Sequence, residues 1–236
     1  MIISIHQPNY IPWIGYFHKI AHSDVFVVFD DIQFPRGKDF IFRNKIKTEN
    51  GAKWLSIPIK NRSEFVSIKN AEVNNDIEWN KKHINSIYSN YHKTEFFENY
   101  FKKIESIIDK KWKLLIDLNL EINKAILDLL KINTKIVRSS DLNIKESGTM
   151  KVLKIIQKFN GDVYLTGWGP GSRRYIEGKE MRFSESGVDI KLQKVTIPQY
   201  KQYFDDFVPN LSILDILFNV EIEEIRKIIN SQKVLE

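Results

Sequence analysis

The sequence predicts an α/β fold: a largely parallel sheet with flanking helices and a helical insert at about residues 76–132. Two observations carry this reading. Strand-like apolar runs alternate with helix-like stretches along the chain, the pattern of parallel strands joined by crossover helices. The run Asp24–Phe29 (DVFVVF) is apolar on both faces, as a strand covered on both sides of a sheet must be. A chain of 236 residues can bury a sizeable core, and one domain over 1–236 is expected.

Each element follows from its local pattern. Met1–His6 is a short apolar run closed by Gln7-Pro8-Asn9, a strand entering a turn. From Pro12, a residue suited to a first helical turn, Trp13, Tyr16, Phe17 and Ile20 fall at helical spacing, predicting a helix over Pro12–Ala21. Asp24–Phe29 is the second strand. Residues Asp30–Asn44 read as a loop, with Pro35, Gly37 and charges crowded among Phe34, Phe40 and Phe42. Trp54–Ile59 alternates as a strand, and Val66–Val73 is a shorter one. Helices are expected over Glu78–Tyr91, Thr94–Ile108 and Lys111–Leu130. Asp76 and Glu78 favour the start of the first through the macrodipole. The last carries a stripe at i, i+3, i+4 that includes Leu115, Leu118, Ile122 and Ile126. Then come a strand at Ile136–Arg138, a helix over Thr149–Phe159, a strand at Val163–Thr166 and a helix over Ser172–Gly178. A strand at Val188–Leu192, an apolar helix around Leu211–Phe218 and a polar tail helix complete the chain.

Composition removes several function classes. The chain has no cysteine, which excludes disulfides, thiolate metal sites and a cysteine nucleophile. The opening MIISIHQPNYIPW lacks the basic and apolar regions of a signal peptide, and no 18 apolar residues run together, so a soluble cytoplasmic protein is expected. Lys plus Arg exceed Asp plus Glu by 36 to 30, a net +6, but the signs are interspersed. That balance reads either as a solvated lysine-rich surface or as an anionic partner, and the placing of Arg36, Arg43, Lys45, Arg173 and Arg174 in two loops favours a small phosphate-bearing ligand over nucleic acid.

Three segments concentrate polar groups directly after strands, at the sheet edge where ligands collect. The first holds His6, Gln7, Asn9, Tyr10 and Gly15; Gly15 permits a close approach to the first helical turn, and His6 is either a base or a satisfied structural histidine. His18 and His22 stand i, i+4 on the following helix, a spacing that could face a metal, without an acidic third ligand on that helix. The second begins at Asp30-Asp31 and Gln33 and continues through Arg36, Lys38, Arg43, Asn44 and Lys45. Its carboxylates either act on an amine or hydroxyl or are neutralised by the loop's own bases. The third, Gly167-Trp168-Gly169-Pro170-Gly171-Ser172-Arg173-Arg174-Tyr175, is a phosphate-cradling turn or a tight connection, with Trp168 as a stacking surface. It matches neither G-x-G-x-x-G nor the P-loop, so no cofactor is named by a fingerprint.

The stretches HQPNYIPWIGYFHKI, FDDIQFPRGKDFIFRNKIK with WLSIPI, YLTGWGPGSRRYI and FVPNLSILDILFN resemble, in this order, the WbqC-like family of bacterial proteins. The residues that match are His6, Gln7, Pro8, Tyr10, Pro12, Gly15, Asp31, Gln33, Arg43, Asn44, Lys45, Gly167, Ser172, Tyr175, Asp215 and Asn219. Members sit among genes for O-antigen and other surface polysaccharides. The resemblance therefore implies a transferase acting on a nucleotide-linked amino sugar, moving an acyl or aminoacyl group from a donor to the sugar amine. In that reading His6 is the general base, Asp31 orients it or the nucleophile, and Arg43, Lys45 and Arg173 hold the pyrophosphate. Two alternatives stand beside it. One is a sugar-nucleotide binding accessory module without catalysis. The other is a nucleotidyltransferase-like enzyme, because strand, turn, helix and strand resemble the start of that Rossmann-like superfamily; Trp13-Ile14-Gly15-Tyr16 stands where its H-x-G-H motif would be.

Overall fold

The computed structural model describes residues 1–60, 62 and 64–231. Strand β1 (Ile2–His6) leads through helix α1 (Ile14–Ala21) to β2 (Val25–Val28). An antiparallel hairpin follows, β3 (Arg43–Thr48) and β4 (Gly51–Ser56), and then α2 (Trp79–Tyr91), α3 (Phe97–Ile108) and α4 (Leu115–Leu130). The chain rejoins the sheet at β5 (Lys135–Arg138) and crosses through α5 (Gly148–Lys158) to β6 (Val163–Thr166). Helices α6 (Pro170–Ile176) and α7 (Glu180–Glu185) precede β7 (Asp189–Leu192), and α8 (Ile213–Asn219) and α9 (Ile222–Ser231) come last.

The sheet runs β5-β2-β1-β6-β7 with every neighbouring pair parallel. Counting only its own strands along the chain, that is third, second, first, fourth, fifth, a Rossmann-like order. Two cores cover its faces, and the strands divide between them by alternation. Phe26 and Val28 join the core of α1–α4, α8 and α9, whereas Ile3, Ile5, Val25 and Val27 join the core of α5–α7. All four residues of β2 are buried, as the doubly apolar run requires.

Helices α3 and α4 begin at Phe97 and Leu115, later than expected, and four other departures from expectation have plain physical reasons. The expected loop through Asn44 ends at Arg43, where β3 begins; Arg43 and Lys45 sit at the alternate, less buried positions of a hairpin. The expected strand Trp54–Ile59 lies earlier, at Gly51–Ser56, because Pro58 has no N–H for the ladder. Val66–Val73 finds only isolated bridges, Gln33↔Ser67, Glu72↔Leu114 and Ile59↔Val73, around a single 3₁₀ turn at Ile68–Asn70. Pro12 stays outside α1, which starts at Ile14 behind an extended Trp13. No described helix is long and apolar enough to cross a membrane.

Candidate functional site

From β1 the chain turns toward β2 on one side, and from β6 it turns toward β7 on the other. The crevice between the carboxyl ends of β1 and β6 is therefore the topological switch point, where open parallel sheets bind ligands. A cleft of about 70 Å³ opens there. His6 and Gln7 reach it from the end of β1, and Ser172, Arg174 and Tyr175 reach it from α6. Two of the three segments singled out by the sequence, more than 160 positions apart, thus share one cleft.

His6 is the last residue of β1 and is half-buried. Its ring meets Tyr16 edge-on at 5.1 Å, and its Nδ1 lies 2.9 Å from the Gln7 carbonyl. Nδ1–H donates that bond, so Nε2 carries the lone pair. Burial, and after it the Lys19 ammonium, lowers the imidazole pKa to about 3, against the opposing pull of the Gln7 carbonyl. At neutral pH His6 is thereby a neutral hydrogen-bond acceptor of low basicity, weaker as a base than a free imidazole.

The paired carboxylates face other partners than expected. Asp30 is fully buried and accepts from Arg138 Nε at 2.7 Å, from Ser140 N and Oγ at 3.0 and 2.9 Å, and from Ser139 Oγ at 3.1 Å. Asp31 accepts from Ser139 Oγ and Lys151 Nζ, both at 2.6 Å. Together they tie the end of β2 to the turn after β5 and to α5, and Asp31 makes no described contact with His6. The bases that neutralise them, Arg138 and Lys151, come from more than 100 residues away, so no local pattern identified them.

The remaining expected residues fall elsewhere. Asn44 Nδ2 donates to the carbonyls of Tyr10 and Ile11 at 3.2 and 2.7 Å, holding a turn in which Ile11 has φ +40°. Tyr10 is fully buried with its hydroxyl 2.9 Å from His83 Nδ1. Asn9 is buried and accepts from Asn123 through its carbonyl. Gly15 makes room for the Trp13 ring, since a Cβ there would stand 2.6 Å from Trp13 Cε2. Gln33 is exposed beside Ser67. Arg43 and Lys45 lie over Trp54 at 3.9 and 5.0 Å, on the hairpin; Arg43 lines a separate basic cleft with Lys38, Arg62 and Lys82. Gly167 lies over Lys19, and Trp168 is half-exposed with Arg173 5.3 Å from its ring centre and paired to Glu177. The rings of His18 and His22 stack at 4.1 Å; Nδ1 of His18 meets Gln193 and that of His22 meets a backbone carbonyl. No group of three or more potential ligand side chains of the His, Cys, Asp and Glu types gathers for a metal among the described residues. Asp215 is buried under the hydroxyls of Tyr91 and Tyr200 and the amide of Gln202, a structural network that joins α8 to α2. Asn219 closes on its carbonyl.

Comparison with known proteins finds relatives of the sequence. The family model described as the WbqC-like protein family matches residues 7–227. The uncharacterized protein Rv1507c of Mycobacterium tuberculosis is 30% identical over 223 residues, covering 94% of each chain. Among solved structures, a deacetylase triple mutant involved in teicoplanin biosynthesis superposes over 98% of this chain and 82% of that one. Its TM-score of 0.31 at 9% identity carries no argument about this chain.

Proposed function

The chain belongs to the WbqC-like protein family, and from that premise we propose that it is a cytoplasmic transferase acting on a nucleotide-linked amino sugar in bacterial surface-polysaccharide (O-antigen) biosynthesis. It moves an acyl or aminoacyl group onto the sugar amine. The observation that carries the proposal is the switch-point cleft, where His6 and Gln7 from one motif meet Ser172, Arg174 and Tyr175 from another. Arg174 and the Ser172 hydroxyl supply cationic and neutral donors for phosphate oxygens, and Tyr175 supplies an apolar wall.

The chemistry then runs through direct attack, because the chain has no cysteine to form a thioester. The amine nitrogen attacks the carbonyl of an activated donor, the new C–N bond forms, and the bond to the leaving group breaks with its electron pair. His6 Nε2 accepts a hydrogen bond from the attacking amine and orients its lone pair. A phosphate bound beside His6 raises the proton affinity of the imidazole and lets it take the proton the nitrogen loses.

The low basicity of His6 favours a second reading, a sugar-nucleotide binding module without chemistry. One experiment separates them. The protein is incubated with UDP- or dTDP-linked amino sugars and a panel of acyl donors, and products are read by mass. An acylated sugar nucleotide that disappears with His6→Gln supports the transferase. Binding without product across the panel supports the module, and the absence of sugar-nucleotide binding refutes both.

A further inference from the structure

We propose that Lys19 is the anchor for an oxyanion of the ligand at the β1–β6 crevice, its ammonium standing beneath the phosphate or carboxylate group that enters there. The inference rests on the sugar-nucleotide reading only for the source of that anion. Lys19 lies in the second turn of α1 and is 3% exposed. Its Nζ is 3.7 Å from the point where a Cβ on Gly167 would sit, which places the ammonium at the end of β6. It is also the charge that acts on His6 at the end of β1. The ammonium therefore sits between the two strands whose ends define the switch point.

The other buried lysines show what is missing. Lys47 donates to the carbonyls of Asp205 and Asp206, and Lys151 donates to Asp31 and to the Ile144 carbonyl. Lys19 Nζ has no described hydrogen bond or ion pair. The carboxylates at the same sheet edge, Asp30 and Asp31, are already engaged by Arg138, Lys151 and two serines. Burial alone lowers the Lys19 pKa, to about 8, with no carboxylate opposing it, and the group stays mostly charged at neutral pH. A buried cation is ordinarily paired; here the place for the counter-ion is the crevice.

The test is calorimetric titration of the unsubstituted protein, Lys19→Met and Lys19→Gln with inorganic pyrophosphate, UDP, uridine and a UDP-linked amino sugar. The unsubstituted protein should bind pyrophosphate and UDP ~10- to 100-fold more tightly than either variant, while uridine distinguishes none of the three. Both variants should melt no lower than the unsubstituted protein, because they remove an unpaired buried charge. Undiminished pyrophosphate affinity in a folded variant overturns the anchor and leaves the sugar-nucleotide reading standing. Lys19-dependent pyrophosphate binding without binding of the UDP-linked amino sugar keeps the anchor and overturns that reading. No anion binding by the unsubstituted protein overturns both. If the variants fail to fold, unsubstituted protein carrying ¹³C-lysine decides: the Lys19 Cε resonance must shift on adding pyrophosphate, and an unmoved resonance overturns the anchor.

Discussion

Replacing His6 with glutamine should flatten the acid side of the stability profile. The folded chain holds the imidazole at about 3, against an ordinary value of 6.5, so the unfolded chain binds the proton first as pH falls. Stability from this group is complete above pH 6.5 and is lost progressively down to about pH 3. Each pH unit inside that window corresponds to about 1.4 kcal/mol, so at about pH 4.5 the unsubstituted protein should have lost ~3 kcal/mol that His6→Gln does not lose. His83, lowered to about 4 mainly by burial, titrates in an overlapping window but is present in both proteins and cancels in the comparison. The assay is urea denaturation of both proteins at about pH 7.5 and about pH 4.5. At the higher pH the two differ by the lost packing against Tyr16 and the lost Nδ1–H bond to the Gln7 carbonyl, and that offset subtracts out. Equal losses on acidification would refute the reasoning: the imidazole would then protonate freely in the folded chain and could serve as a base of ordinary strength near neutrality.

Three further outcomes follow from named contacts. Asp30→Asn should destabilise the fold by about 3 kcal/mol in chemical denaturation, since it leaves Arg138 and the serine donors without a buried carboxylate; a loss below ~1 kcal/mol contradicts the structural role. Gly15→Ala forces a methyl group against the Trp13 ring and should cost ~1–3 kcal/mol in the same assay, whereas an unchanged midpoint would mean that the indole is free to move. Arg174→Ala should weaken UDP binding about tenfold while Arg43→Ala changes it less than about twofold, because only Arg174 lines the switch-point cleft. The reverse ranking in titration calorimetry would move the site to the basic cleft by the hairpin.

Much of this was legible before any coordinates. The run DVFVVF announced a strand buried on both faces, and the polar turns after Met1–His6 and Val163–Thr166 supply residues to one cleft at the end of the sheet. The hairpin of β3 and β4 was missed although a signal was present: Glu49-Asn50-Gly51 is a turn sequence, Thr48 pairs with Gly51, and Gly51 takes φ +91°. The charges of Arg43, Lys45 and Lys53 hid it, since a strand outside the main sheet can carry them on its less buried side, and Lys47 is buried on the other side with its ammonium donating to the Asp205 and Asp206 carbonyls.

Local pattern determined the alternation of strands and helices and which turns would be rich in donors, because backbone propensity and apolar periodicity act within a few residues. The order of strands in the sheet is a long-range choice, and that order brought His6 and Ser172 to one cleft while sending Arg43 to another. The fate of individual charges was decided the same way. Asp31 found Lys151, 120 positions on, and Lys19, which in sequence is one more cation on an amphipathic helix, was buried beside the ends of β1 and β6 with no hydrogen bond or ion pair among the described residues. The cost of burying a charge depends on what surrounds it, and only packing sets those surroundings.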